Sequence, residues 1–261
     1  MGIDRSRRIA FEETANIYND TRPGYPEQLV EDVISLSNVP VNGRILEIGC
    51  GSGNATVAFA RHDYEVLAVE LGTRLTSYAK QNCKKYKKVT VLNMAFEDWP
   101  TETKAFDLAI SADAFHWIVP EIGYPKVAAA LKPGSSLAFF WNVNCNSDSS
   151  LSQAIRVVYK ELAPQAEDPN GSFTQEYLIE TVSQVINSTG LFGSITIKLN
   201  NSIDTLTSEN YARSLWTFSS HHSLDPQIRT ELYRGIRKAI DNHGGTIAQE
   251  RKIVLFHAFV K

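Results

Sequence analysis

The sequence predicts an α/β fold: a Rossmann-like, seven-stranded, mostly parallel sheet with one antiparallel strand, helices on both faces, and a helical lid inserted after strand five. Three observations carry this expectation. Short apolar runs alternate with helix-period segments five times between Arg44 and Trp141, a rhythm that calls for parallel strands joined by crossover helices. The first run, Arg44–Cys50, passes straight into Gly51-Ser52-Gly53 and a helix-like Asn54–Arg61; glycines there permit a sharp turn and close approach of a ligand. After Asn142 helical segments dominate and two late apolar runs remain, enough to complete a sheet.

Taken in order, residues 1–25 are polar with aromatic islands at Phe11, Tyr18 and Tyr25. Pro26 suits the first turn of a helix, and Leu29, Val33 and Leu36 repeat at helical spacing behind it. Strand two is Glu65–Leu71, with the acid Glu70 at its end, and a helix follows from Thr73 to Tyr86. Strand three is Val89–Met94. Strand four, Asp107–Ser111, follows a turn at Thr101–Lys104. A helix near Tyr124–Leu131 stops at Lys132-Pro133-Gly134, and strand five is Ser136–Trp141. Beyond it, residues 149–163, 174–189, Glu209–Phe218 and Pro226–Asn242 read as helices, and Ile195–Leu199 and Ile253–Val260 as strands. The helices after strand five are expected to cover the strand ends. The organisation is one integrated domain: a cap segment and first helix (1–42), a ligand-binding core (43–143), and a lid with the last two strands (144–261).

At 261 residues, 43% hydrophobic and 21% charged, the chain has ordinary globular values. A net charge of −3 gives no reason to expect a nucleic-acid partner. Cys50, Cys83 and Cys145 have no metal spacing, and their odd number argues against a disulfide framework, which fits a reducing cytoplasm. The first ten residues are basic without an apolar stretch, so a secretory leader is not expected. No apolar run approaches the roughly 18 residues of a membrane span. The expected partner is a small molecule, with neither nucleic acid nor membrane, and the protein a monomer or homodimer.

The glycine corner discriminates among ligands. A dinucleotide fingerprint wants G-x-G-x-x-G, but counting from Gly49 puts Asn54 at the third glycine. The pattern present is E-x-G-x-G-x-G, with Glu47 two residues before Gly49. A pyrophosphate gains nothing from a carboxylate there, whereas a cationic ligand does. S-adenosylmethionine (SAM) carries a sulfonium and an ammonium and no phosphate.

At these residues the chain resembles the class I SAM-dependent methyltransferases, whose first motif is E/D-x-G-x-G-x-G. Ala114-Phe115-His116-Trp117 and Tyr18-x-x-x-Arg22-Pro23-x-Tyr25-Pro26 resemble a subgroup acting on small molecules, the trans-aconitate methyltransferase-like proteins, and Leu131-Lys132-Pro133-Gly134 is shared by most of the class. The resemblance covers about residues 10–142. It implies that Glu47, Gly49, Cys50, Gly51 and Gly53 cradle the methionine end, and that Glu70, beside Leu71, binds the ribose hydroxyls. Ala95 and Phe96 would flank adenine, and Asp113 and Ala114 would line the methyl-transfer site. S-adenosylhomocysteine (SAH) would be the product. The usual polar side chain of the adenine loop is replaced here by Ala95. The N/D-P-P-Y/F motif of amino-methyltransferases of DNA is absent, which disfavours such acceptors.

Methyl transfer is an in-line displacement at an activated carbon, and the protein mainly aligns the reactants and excludes water. An enolate, carboxylate or free amine needs little help; a phenol or alcohol needs a base. His116 is the candidate base, or an orienting group. Tyr18, Arg22, Tyr25, Trp117, Trp141, Asn142 and Trp216 are candidates for the substrate pocket. His221-His222 lacks a third ligand nearby and no metal site is expected. Lys84–Lys88, at a helix end, reads as a solvated face, and Trp99 as a packing aromatic. The competing functions are an NAD(P)-dependent oxidoreductase, a SAM-binding protein without transferase activity, and a protein or RNA methyltransferase.

Overall fold

The computed structural model describes residues 14–22, 24–145, 149–164, 166, 174–218, 221 and 224–261; Phe11, Pro23 and His222 lie outside them. Two helices, α1 (Ala15–Thr21) and α2 (Glu27–Ser37), precede the sheet. There follow β1 (Arg44–Ile48), α3 (Asn54–Ala60), β2 (Glu65–Glu70), α4 (Thr73–Asn82), β3 (Val89–Asn93) and β4 (Phe106–Ala112). Next come a 3-10 turn at Phe115–Trp117, α5 (Pro120–Ala130) and β5 (Leu131–Asn144). The remainder is α6 (Ser150–Leu162), α7 (Gln175–Thr189), β6 (Thr196–Thr207), α8 (Ser208–Leu215), α9 (Pro226–Asp241) and β7 (Thr246–Phe259).

The seven strands lie in the order β3-β2-β1-β4-β5-β7-β6. β1 to β5 are mutually parallel, and β7 runs antiparallel to both β5 and β6. This is the expected mostly parallel sheet with one antiparallel strand. The order reverses between β1 and β4, so a crevice opens beyond their carboxyl ends, where ligands bind on such sheets.

Alternation along the strands sorts the core into two layers. Leu46, Ile48, Phe106, Phe139 and Phe256 pack beneath α5 and α7 on one face. Ile45, Leu108, Ile110, Phe140 and Leu255 pack beneath α2 and α3 on the other. A separate apolar cluster, built on Tyr211, Leu232 and Ile236, joins α6, α8 and α9 into a cap. His221 is sealed in this cluster between the hydroxyls of Tyr159 at 3.2 Å and Tyr233 at 3.1 Å.

Several boundaries differ from expectation. The helix after β2 ends at Asn82, with Cys83 capping it, leaving the lysine run in the following turn. The helix after β4 begins at Pro120, whose missing N–H costs nothing in a first turn. α7 packs its buried Leu178 and Ile186 into the sheet core rather than the separate cap cluster, while Tyr177, Leu178, Thr181 and Val182 of the same helix line the cavity over the strand ends. β6 and β7 are much longer than the runs Ile195–Leu199 and Ile253–Val260, because they continue through polar residues.

Candidate active site

The turn after β1 is built by three glycines with positive φ: Gly49 (71°), Gly51 (55°) and Gly53 (90°). At Gly49 the need is also steric, since a Cβ would lie 2.5 Å from that of Ala114. The turn leads into the N-terminus of α3 and borders a cavity of about 620 Å³ over the crevice.

Glu47 reaches this cavity from β1, fully buried. Neither carboxylate oxygen has a hydrogen-bond partner. Burial pushes its pKa up to about 7; Thr56, lying beside it without hydrogen-bond geometry, offsets part of this, and the Glu70 charge adds to it. An unpartnered buried carboxylate is expensive unless a cation arrives. Arg22, from the end of α1, lines the same cavity between the rings of Tyr18 and Phe218, each 5.1 Å from its guanidinium carbon. Its Nε is buried without a partner. The glycine corner therefore presents an unmatched anion and an unmatched cationic N–H together.

Glu70 ends β2. Its Oε2 accepts from the Gly51 N–H at 2.8 Å and its Oε1 from the Gly72 N–H at 2.8 Å. These two bonds hold the carboxylate rigidly at the edge of the cavity. Leu71 and Leu75 line the wall beside it, and Met94, Ala95, Phe96 and Glu97 continue that wall. The Phe96 ring is itself committed to the core, stacked on Trp99 at 5.8 Å.

Beyond β4, Asp113 adopts φ 53°, an uncommon conformation that aspartate tolerates better than most residues. Asn142 holds it: Oδ1 accepts from the Asn142 N–H at 2.8 Å, and Oδ2 from Asn142 Nδ2 at 2.5 Å and from the Tyr25 hydroxyl at 3.1 Å. Burial, then the Asp113 charge, raise the Tyr25 pKa well above the phenol range. Trp141 Nε1–H donates to His116 Nδ1 at 3.0 Å. Burial lowers the His116 pKa, with Asp113 opposing.

The structure brings Glu47, Gly49, Cys50, Gly51, Glu70, Leu71, Ala95, Phe96, Asp113, Ala114 and His116 to one cavity, with Tyr18, Arg22, Tyr25, Trp117, Trp141 and Asn142. Two expected residues are not there. Gly53 caps α3 and faces α4, where an added Cβ would lie 3.3 Å from the Ala79 Cα. Trp216 lies against Tyr233 and beneath the Arg229 guanidinium, on the cap. Among the lining residues not anticipated are Asp204 and Leu206 from β6 and Gln249 and Arg251 from β7. Arg251 is 5% exposed. Its Nη1 donates to Asn142 Oδ1 at 2.6 Å, its Nε to Asp204 at 3.0 Å, and its Nη2 pairs with the same carboxylate.

Fold and corner together define a class I methyltransferase architecture. Comparison with known proteins agrees: residues 45–134 match the family model described as a methyltransferase domain. An uncharacterized methyltransferase of Schizosaccharomyces pombe is 31% identical over 131 residues, 50% of this chain and 51% of that protein. The chain thus spans about half the length of the curated relatives it matches. Among solved structures, a candidate type II methyltransferase from Anaeromyxobacter dehalogenans superposes with a TM-score of 0.68 at 20% identity, over 91% of this chain and 97% of that one. A SAM-dependent methyltransferase from Thiobacillus denitrificans in complex with SAH gives 0.55 at 14% identity, over the full length of both. No helix among the described residues is long and apolar enough to cross a membrane.

Proposed function

We propose that the chain transfers a methyl group from SAM to a small-molecule acceptor whose nucleophile arrives unprotonated. The observation that carries this is the unpartnered Glu47 carboxylate and the unpartnered Arg22 Nε–H in one cavity, the Arg22 Nη2 donating to the Thr217 carbonyl at 3.4 Å. An α-amino acid terminus brings an ammonium for the first and a carboxylate for the second. A dinucleotide brings a pyrophosphate, which Glu47 would repel. Glu70 would hold the ribose hydroxyls, and Leu71 and Ala95 would border the adenine.

SAM supplies a methyl carbon made electrophilic by its sulfonium. The chain's part is alignment and exclusion of water. Asp113 and Ala114 would border the transfer position, and the cap would close over it. The groups that could take a proton there are already engaged: Asp113 by Asn142 and Tyr25, Asp204 by Arg251, and His116 Nδ1 by Trp141. An indole N–H only donates, so neutral His116 carries its proton on Nε2. His116 is then an orienting donor to an acceptor oxygen rather than a base. Carboxylates, enolates and free amines suit such a site.

Calorimetric titration with SAH, with NADH as control, tests the reading. We expect SAH binding at micromolar strength and none of NADH, with at least a tenfold loss in Glu47→Gln. NADH binding without SAH binding would overturn the assignment.

A further inference from the structure

We propose that β6 is a homodimer seam, pairing antiparallel with β6 of a second copy across a two-fold axis through Asn201.

β6 is the outermost strand, and β7 is its only strand partner among the described residues. Its twelve residues pair with β7 without a register shift, so no bulge twists the free edge away. It contains no proline. Natural edges are usually blunted by bulges, prolines or exposed lysines. The odd-numbered face does the opposite: Ile197, Leu199 and Ile203 are 36%, 48% and 66% exposed, among Asn201 and Thr205, with no charge between them. The two charges of the strand, Lys198 and Asp204, point to the other face, where Asp32 and Arg251 meet them.

The strand complements itself in one register. With Asn201 opposite its own copy, Leu199 faces Ile203 on the odd face and Lys198 faces Asp204 on the even face, each pairing occurring twice by symmetry. Registers must shift by two along both strands' sum to keep faces matched. Moving the axis to Asn200 sets Leu199 against Asn201 and Lys198 against Ser202. Moving it to Ser202 sets Leu199 against Thr205 and Lys198 against Leu206. Both lose the charge pair and strand Leu199. Lys198 and Asp204 side chains remain 48% and 31% exposed beside their internal partners, so each has room for a second contact. Because Asp204 and Leu206 also line the cavity, the seam would brace the acceptor side of both active sites.

Light scattering coupled to size exclusion should return twice the chain's mass, and Leu199→Lys/Ile203→Lys should return the chain's mass with unchanged circular dichroism. Asn201→Cys supplies an independent readout. Residues directly opposite in an antiparallel pair have Cα atoms about 4.5–5.5 Å apart, within disulfide reach. Under mild oxidant this variant should cross-link to a covalent dimer, whereas Val41→Cys, on an exposed loop, should not. A monomer at every concentration, a dimer indifferent to the two lysines, or a folded Asn201→Cys that fails to cross-link would overturn the proposal. So would slow exchange, in a monomer, of the β6 amides that point away from β7, since a segment of the same chain would then cover the edge.

Discussion

Trp141 decides what His116 can do, because an indole has a donor and no acceptor. Whichever imidazole nitrogen faces it must be unprotonated, and the proton must sit on the other. Moving that proton would set two donors against each other and leave a buried group unsatisfied, at a cost of about 1–3 kcal/mol. The expected result in nitrogen-15 NMR of the folded protein is a neutral His116 with Nδ1 bare and Nε2 protonated near pH 7. Trp141→Phe should erase that preference. A His116 protonated on Nδ1 would restore it as a candidate base. The positions of His116 and Trp141, at the ends of two neighbouring parallel strands, were legible in the sequence. Their contact was not, since it depends on a 3-10 turn at Phe115–Trp117 that folds His116 back toward β5. Trp216 shows the converse: a cap aromatic is easily assigned to the pocket, but its ring is taken up by Tyr233 and Arg229.

At the scale of elements, the glycine corner was readable because its chemistry is local. Gly49 allows β1 to turn against the loop after β4, and one methyl group is enough to test it. Gly49→Ala adds a Cβ 2.5 Å from that of Ala114 at a φ of 71°, a strained backbone as well as a clash. We expect a loss on the order of 2 kcal/mol or more in urea unfolding, together with loss of SAH binding as Ala114 moves into the cavity. Stability within error of the parent would show the corner to be pliable. β6 and β7 were read short for a related reason. The apolar half of β7 lies in the sheet core and that of β6 on the exposed edge, while the remaining parts of both strands turn polar residues toward the cavity side, among them Asp204, Gln249 and Arg251. Polar residues at alternate positions break the apolar signature of a strand where the strand serves as the wall of a polar site. Gly244-Gly245, just before β7, was the available sign that the strand begins early.

Over the whole molecule, two buried titratable groups on the same face of the sheet pull stability in opposite directions with pH. Glu47 titrates near 7 in the fold against about 4.5 for an ordinary glutamate, so the folded chain holds a proton that the unfolded chain has lost. Stability therefore falls as pH rises through that window, by about 3 kcal/mol in all. His257, on β7, is buried with Nε2 unpartnered, and burial lowers its pKa from 6.5 to about 4. Here the unfolded chain holds the extra proton, and stability is lost as pH falls from 6.5 toward 4. The two slopes offset each other between about pH 4.5 and 6.5. His257→Leu should uncover the first, giving a melting temperature that declines from pH 5 to 7. Glu47→Gln should uncover the second, giving one that rises. Saturating SAH should act on the parent chain as Glu47→Gln does, because a bound ammonium favours the ionised carboxylate and removes its reason to hold a proton. Thermal melts of the three proteins across this range, with and without SAH, check all of this. A decline with pH that persists in Glu47→Gln, or that SAH leaves unchanged, would mean that the carboxylate at the glycine corner is not the group that meets the ammonium.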